Sequence, residues 1–244
     1  MWEKIIGLIL LVVIIVIAAS YEGKESFEEP LLTFRFDDCY ESQLKAYEVL
    51  KENDLTATFY CITNSLGKED YMTWEQAEKL YAEGFDIGSH GKTHKNLLML
   101  TIAEQKEEIT GSRKNLSMHK IKVTSFAYPY GIYNPLYMKE VEGAYMCAST
   151  YPILKGSFNY KNTDRLKLNC MRNFRNATDF EDSLNEAINK SAWMVACFHR
   201  IGDGEGRYYT KEEDFKEIVR VAKEYQDKGL IRIVNFNEAC SLLG

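Results

Sequence analysis

From Leu31 to the end of this 244-residue chain, short β-rich runs alternate with longer helical stretches. That alternation leaves few folds open. Strands are predicted over Leu31–Phe36, Ala57–Ile62, Phe85–Ser89, Thr124–Tyr128, Tyr145–Ser149, Trp193–Phe198 and Leu230–Val234, with a weaker one near Leu168–Arg172. Helices are predicted over Ser42–Asn53, Thr73–Glu83, Thr101–Leu116, Pro135–Glu142, Thr178–Asn189, Lys211–Lys228 and Asn237–Leu243. Thr73 with Gln76, and Thr101 with Glu104, have the spacing of capping boxes. Gly84 and Gly229 stand where helices should stop. Repeated βα units imply an α/β protein with a parallel sheet, and about seven of them suggest a barrel. In such barrels chemistry gathers at the C-terminal ends of the strands.

The N-terminus is a separate object. Ile5 to Ala19 is an unbroken apolar run of fifteen residues behind Lys4, ending Ala18-Ala19-Ser20. A secretory core needs about 7–15 apolar residues and a spanning helix about 17–25. Residues 1–20 therefore read equally as a cleaved signal peptide or as a membrane anchor through residues 5–19. A buried core helix is the third choice, because the run has no amphipathic period. Either leading reading makes residues 21–30 a tether. It places one domain, residues 31–244, outside the cytoplasm, secreted or membrane-anchored.

The formal charge of −6, without a Lys/Arg cluster, disfavours nucleic acid as a partner. Six cysteines are irregularly spaced. Export would allow disulfides, but Cys61 and Cys197 lie in apolar runs where cysteine behaves as a small hydrophobe, so most are expected to be free and buried. Asn115, Asn176 and Asn189 head glycosylation sequons, a pattern common by chance.

Chemistry concentrates in four short stretches that follow predicted strands: Phe36-Asp37-Asp38, His90 to His94, Tyr128-Pro129-Tyr130-Gly131 and Phe198-His199. Three of the four histidines fall within them; His119, among Ser117, Met118 and Lys120, reads as solvated. Adjacent residues at a strand end point to different sides, so one aspartate can bind a metal while the other faces a reacting water. Gly88 and Gly91 disfavour a helix around His90 and His94, which belong on a loop. Two neutral imidazoles and a carboxylate suit Zn²⁺, and three protein ligands leave a position open for catalysis. His199 has the chemistry of a general acid for a leaving nitrogen. The turn at Tyr130 can aim a backbone N–H at a developing oxyanion.

In this order the motifs resemble the polysaccharide deacetylases of the NodB-homology group, carbohydrate esterase family 4, from about Leu31 to near the C-terminus. Arg35-Phe36-Asp37-Asp38-Cys39 is similar to the family's Thr-Phe-Asp-Asp-Gly, implying Asp37 as catalytic base and Asp38 as metal ligand. His90-Gly91-Lys92-Thr93-His94 resembles the metal-binding His-x-x-x-His motif. Ala127-Tyr128-Pro129-Tyr130 resembles Arg-x-Pro-Tyr/Phe and implies that the Tyr130 main chain helps form the oxyanion hole. Cys197-Phe198-His199 resembles Leu-x-His and implies His199 as the acid. The resemblance implies a distorted (β/α)7-type barrel and hydrolysis of N-acetyl groups on the amino sugars of a carbohydrate polymer, with Zn²⁺ or another divalent metal as cofactor.

Several positions depart from the family pattern. Cys39 replaces a glycine, and Cys197 replaces a leucine that shapes the acetyl pocket. Ala127 replaces the arginine that holds the base, so the Asp37 pKa is expected to rise, with Arg172 as the substitute expected to reach it. No Asp-x-x-Asp-Trp occurs, which leaves the partner that orients His199 unassigned. Cys39, Ala127 and Cys197 motivate a second reading, a glycan-binding module with a decayed site. A third keeps hydrolysis but moves it to another acyl or C–N bond.

Overall fold

The computed structural model describes residues 23–151, 157–172 and 174–244. The apolar run 5–19 lies outside them, and no helix among the described residues is long and apolar enough to cross a membrane. The first strand, β1 (Leu31–Asp38), is buried along its whole length. It continues through α1 (Leu44–Glu52), β2 (Thr58–Cys61), α2 (Trp74–Ala82) and β3 (Asp86–Ser89). Next come α3 (Ile102–Lys106), a π turn (Glu107–Gly111), α4 (Ser112–Met118), β4 (Ser125–Ala127), α5 (Pro135–Ala144) and β5 (Cys147–Thr150). The last third holds β6 (Leu168–Asn169), β7 (Met171–Arg172), α6 (Ala177–Asn189), β8 (Trp193–Phe198), β9 (Arg200–Ile201), β10 (Tyr209–Thr210), α7 (Glu212–Asp227), β11 (Arg232–Ile233) and α8 (Phe236–Ser241). Both predicted capping boxes are present, at Thr73 and Thr101.

The large sheet runs β6-β5-β4-β3-β2-β1-β8-β7, with all neighbours parallel. Its two edge strands are consecutive in sequence. Leu168 pairs with Ser149 of β5, while Arg172 pairs with Cys197 of β8, and only Cys170 separates the two short strands. This one segment therefore closes the sheet into a distorted (β/α)7 barrel. The weak strand predicted near Leu168–Arg172 is thus the closing one, and it is weak because it changes partners halfway. β11 pairs with Leu31 and Leu32, and β2 takes over from Arg35 onward, so the strand predicted at Leu230–Val234 fills the bottom of a gap rather than adding a stave.

The period of two along β1 divides the core. Leu32, Phe34 and Phe36 join Phe59, Ile87, Phe126 and Phe198 in the layer beneath the helices. Leu31 joins Tyr60, Ala127, Cys170, Trp193 and Cys197 in the barrel interior. Arg35 and Asp37 share the parity of Leu31 and so enter that interior. Within the stretch read as a tether, Phe27 is buried and its N–H donates to Ser191 O at 2.9 Å.

The cysteine expectation is corrected. Cys39 is bonded to Cys61 and Cys147 to Cys240, which leaves Cys170 and Cys197 free and buried. An apolar run did not mark Cys61 as free, because Asp38 and Cys61 are register partners in adjacent strands and the next residue, Cys39, reaches across.

Candidate active site

Backbone strain marks the place where the strands end. Asp38, Cys39, His94 and Tyr130 all have positive φ (78°, 56°, 58° and 61°). Each such residue costs on the order of 1–3 kcal/mol and persists only where its surroundings fix it. Gly131 is required beside them: a Cβ there would lie 2.6 Å from the backbone nitrogen of Tyr151.

The turn at Asp38 gives the two aspartates different main partners. Asp38 Oδ1 lies 3.7 Å from His90 Nε2 and 3.7 Å from His94 Nε2. The ligand atoms of these three residues all fall within 4.8 Å of one another. Two donors on one tetrahedral zinc at about 2.0–2.1 Å would be about 3.4 Å apart, so the set fits a divalent ion. Its electrostatics fit as well. Burial pushes His90 down to about 3 and lowers His94, which keeps both rings neutral. Burial and the neighbouring Asp37 push Asp38 up to about 6. A buried carboxylate in that position is relieved by a cation. His90 Nδ1 is 2.8 Å from Ala127 O, which fixes the tautomer that leaves Nε2 free to bind.

Asp37 Oδ2 also lies 3.9 Å from His90 Nε2, but its hydrogen bonds run to an arginine, and here an expectation fails. Arg35 is fully buried and grips Asp37 with both arms, Nε to Oδ1 at 2.7 Å and Nη2 to Oδ2 at 2.8 Å. Its third nitrogen, Nη1, donates to Ser149 Oγ at 2.6 Å. The rings of Tyr60 and Tyr151 lie 4.9 Å and 5.4 Å from the guanidinium carbon. Burial alone would raise the Asp37 pKa, but Arg35 first, then His90 and His199, outweigh it and hold the carboxyl well below the usual range. Asp37 has therefore not lost its arginine. The cation comes from two residues upstream on the same strand instead of from position 127. The side chain of Arg172 lies outside the described residues.

His199 follows β8 and shares its surroundings with Asp37. Burial lowers its pKa, while Asp37 and Asp38 oppose that shift. Gln43, also fully buried, donates through Nε2 to Asp37 O at 2.5 Å and His199 O at 2.6 Å. Tyr151 OH donates to Asp37 Oδ2 at 3.1 Å and lies 3.5 Å from His199 Nε2. Cys197 Sγ lies 3.0 Å from the same hydroxyl and 3.4 Å from Asp37 Oδ2. Burial holds this thiol protonated. Tyr130 is 57% exposed, with its ring 4.7 Å from that of His94. Tyr208 covers His199 at 5.0 Å. Asp37, Asp38, His90, His94, Tyr130 and His199 thus gather at one end of the barrel. His119 lies elsewhere, stacked on Trp74 and bonded to Glu78.

The sequence reading missed Arg35, Gln43 and Tyr151. Arg35 carried a signal: a charged residue within an apolar strand, two positions from an aspartate, must share its face. Gln43 and Tyr151 reach the site only through the fold.

Comparison with known proteins points to one family. A family model described as polysaccharide deacetylase matches residues 24–146. YxkH of Bacillus subtilis (strain 168), which carries a provisional polysaccharide deacetylase name, is 34% identical over 128 residues. That match spans 51% of this chain and 46% of the relative, so the chain covers about half the length of its curated relative. The fold is similar to that of a peptidoglycan N-acetylglucosamine deacetylase, with a TM-score of 0.59, 16% identity, and 90% and 91% of the two chains covered. It is also similar to the Xyl-CE4 domain of a multidomain xylanase from the hindgut metagenome of Trinervitermes trinervoides, with a TM-score of 0.58, 16% identity, and 86% and 89% covered. A third is a peptidoglycan deacetylase of Bacillus subtilis, with a TM-score of 0.57, 15% identity, and 88% and 92% covered.

Proposed function

The chain belongs to the polysaccharide deacetylase family, and from that premise we propose that it is a metal-dependent hydrolase removing N-acetyl groups from amino sugars of an extracellular polysaccharide. The observation that carries this reading is the division of the adjacent aspartates, Asp38 toward two neutral histidines and Asp37 toward a buried arginine.

Asp38, His90 and His94 would hold a divalent ion such as Zn²⁺, which would supply a Lewis acid and bring the pKa of a water to about 7. Asp37, kept ionised by Arg35, accepts a proton from the water as it attacks the acetyl carbonyl. The Tyr130 N–H meets the developing oxyanion. His199, when protonated, gives its proton to the departing amine and is left as the neutral imidazole that its lowered pKa favours. Tyr151 sets its hydroxyl between the group that takes the proton and the group that gives one. Two departures that favoured a decayed site have replacements: Cys39 is bonded to Cys61, and Arg35 holds Asp37 in place of an arginine at 127. An exported location, secreted or anchored through residues 5–19, is supported by two disulfides, which persist in oxidising compartments.

Acetate release from N-acetylglucosamine oligomers tests the proposal. Release is expected, with loss on chelation, recovery with added metal, and loss in Asp37→Asn. Glycan binding without acetate release in the metal-replete protein would point instead to a binding module.

A further inference from the structure

Glu108 is a buried carboxylate to which the chemistry above gives no role. It lies in the π turn between α3 and α4, a rare helical insertion that recurs at functional sites. Its Oε2 accepts the backbone N–H of Lys92 at 2.9 Å and of Thr93 at 2.7 Å, while Oε1 accepts the Thr93 hydroxyl. Lys92 and Thr93 lie between the two histidines. The opposite side of this loop is also tied down, as Thr63 N–H donates to Gly91 O at 3.2 Å and Asn64 N–H to Lys92 O at 2.9 Å. Gly91 leaves room for the carboxylate: a Cβ there would lie 3.2 Å from Glu108 Oε2. The π turn thus brings one acceptor group under consecutive N–H groups of a loop that has no ladder of its own.

We propose that Glu108 is a positioning residue for the metal centre. By clamping Lys92 and Thr93 it holds His94 in its left-handed conformation, with Nε2 turned toward Asp38, and so sets the affinity of the site for a divalent ion. His90 has an additional anchor on Ala127 O, so the clamp acts chiefly on His94. This rests on the reading of Asp38, His90 and His94 as a metal site, and the test separates the two.

Zinc affinity of the full chain is measured by competition with a chromogenic chelator, alongside thermal unfolding of the metal-free protein. Glu108→Ala is expected to weaken zinc binding 10–100-fold, the range for lost outer partners of metal ligands. Glu108→Gln keeps an acceptor oxygen for the two N–H groups and should bind close to the unchanged protein. If Glu108→Ala does not fold, Glu108→Asp, whose shorter arm cannot reach both N–H groups, serves in its place with the same expectation. Unchanged affinity in that variant, or equal weakening in Glu108→Gln, would overturn the assignment. His94→Ala is the control: if it binds zinc as tightly as the unchanged protein, the metal centre itself is wrong, whatever Glu108 does.

Discussion

At the scale of single residues, the decisive contact is between Arg35 and Asp37, both fully buried and two positions apart on one strand. A buried ion pair is weak evidence for stability, yet breaking one side of it is costly because the remaining charge has no partner. Arg35→Met should therefore destabilise the protein by about 3–5 kcal/mol in urea unfolding. Its pH behaviour follows from the direction of the Asp37 shift. The folded pKa lies below the ordinary value, so the pair contributes stability above the ordinary carboxylate range and loses it as pH falls below that range. Without Arg35, burial would dominate and raise the Asp37 pKa. The acid limb of the pH–rate profile should then move to higher pH in Arg35→Met, and less so in Arg35→Lys, which keeps the charge without the two-armed grip. An unmoved acid limb would separate Arg35 from the base. Arg35 was legible in principle, since strand parity alone places it beside Asp37. Arg172 drew attention instead because it follows the weak strand near Leu168, and position along a chain does not reveal which strand supplies a charge.

At the scale of elements, two covalent ties hold the barrel at different places. Cys39–Cys61 joins the ends of β1 and β2 next to Asp38, across a separation of 22 residues, and Cys147–Cys240 joins β5 to α8 across 93. In the chain-entropy account a longer closed loop stabilises more, about 3 kcal/mol for the shorter and between 4 and 5 for the longer at roughly these lengths. Cys147→Ala with Cys240→Ala should lower the urea midpoint more than Cys39→Ala with Cys61→Ala. The opposite order would mean that strain or residual structure, not loop length, governs these ties. Neither pairing was legible, because irregular spacing does not specify register, and register brings Cys39 to Cys61. The helices were legible to within a few residues because their capping boxes and stop glycines are local signals. The π turn was not, since its sequence reads as continuous helix.

At the scale of the molecule, the alternation of strand and helix is enough to imply the barrel, and the barrel explains why four distant motifs meet. Their meeting place is the C-terminal end of the parallel strands, where loops after β1, β3, β4 and β8 converge. The residues that complete the site come from elsewhere in the fold. Gln43 lies in the turn before α1, and Tyr151 lies just beyond β5. No local pattern marks them, and only closure of the sheet through Leu168–Arg172 brings β5 around to β8.

The central claim is that adjacent aspartates divide the work, Asp38 binding metal and Asp37 remaining outside its coordination sphere. Anomalous scattering from crystals of the zinc-loaded protein tests it most directly. The account predicts one ion about 2.0–2.2 Å from Asp38, His90 and His94, with Asp37 still gripped by Arg35. An ion coordinated by Asp37, or no ion at these three residues in zinc-saturated crystals, would contradict it.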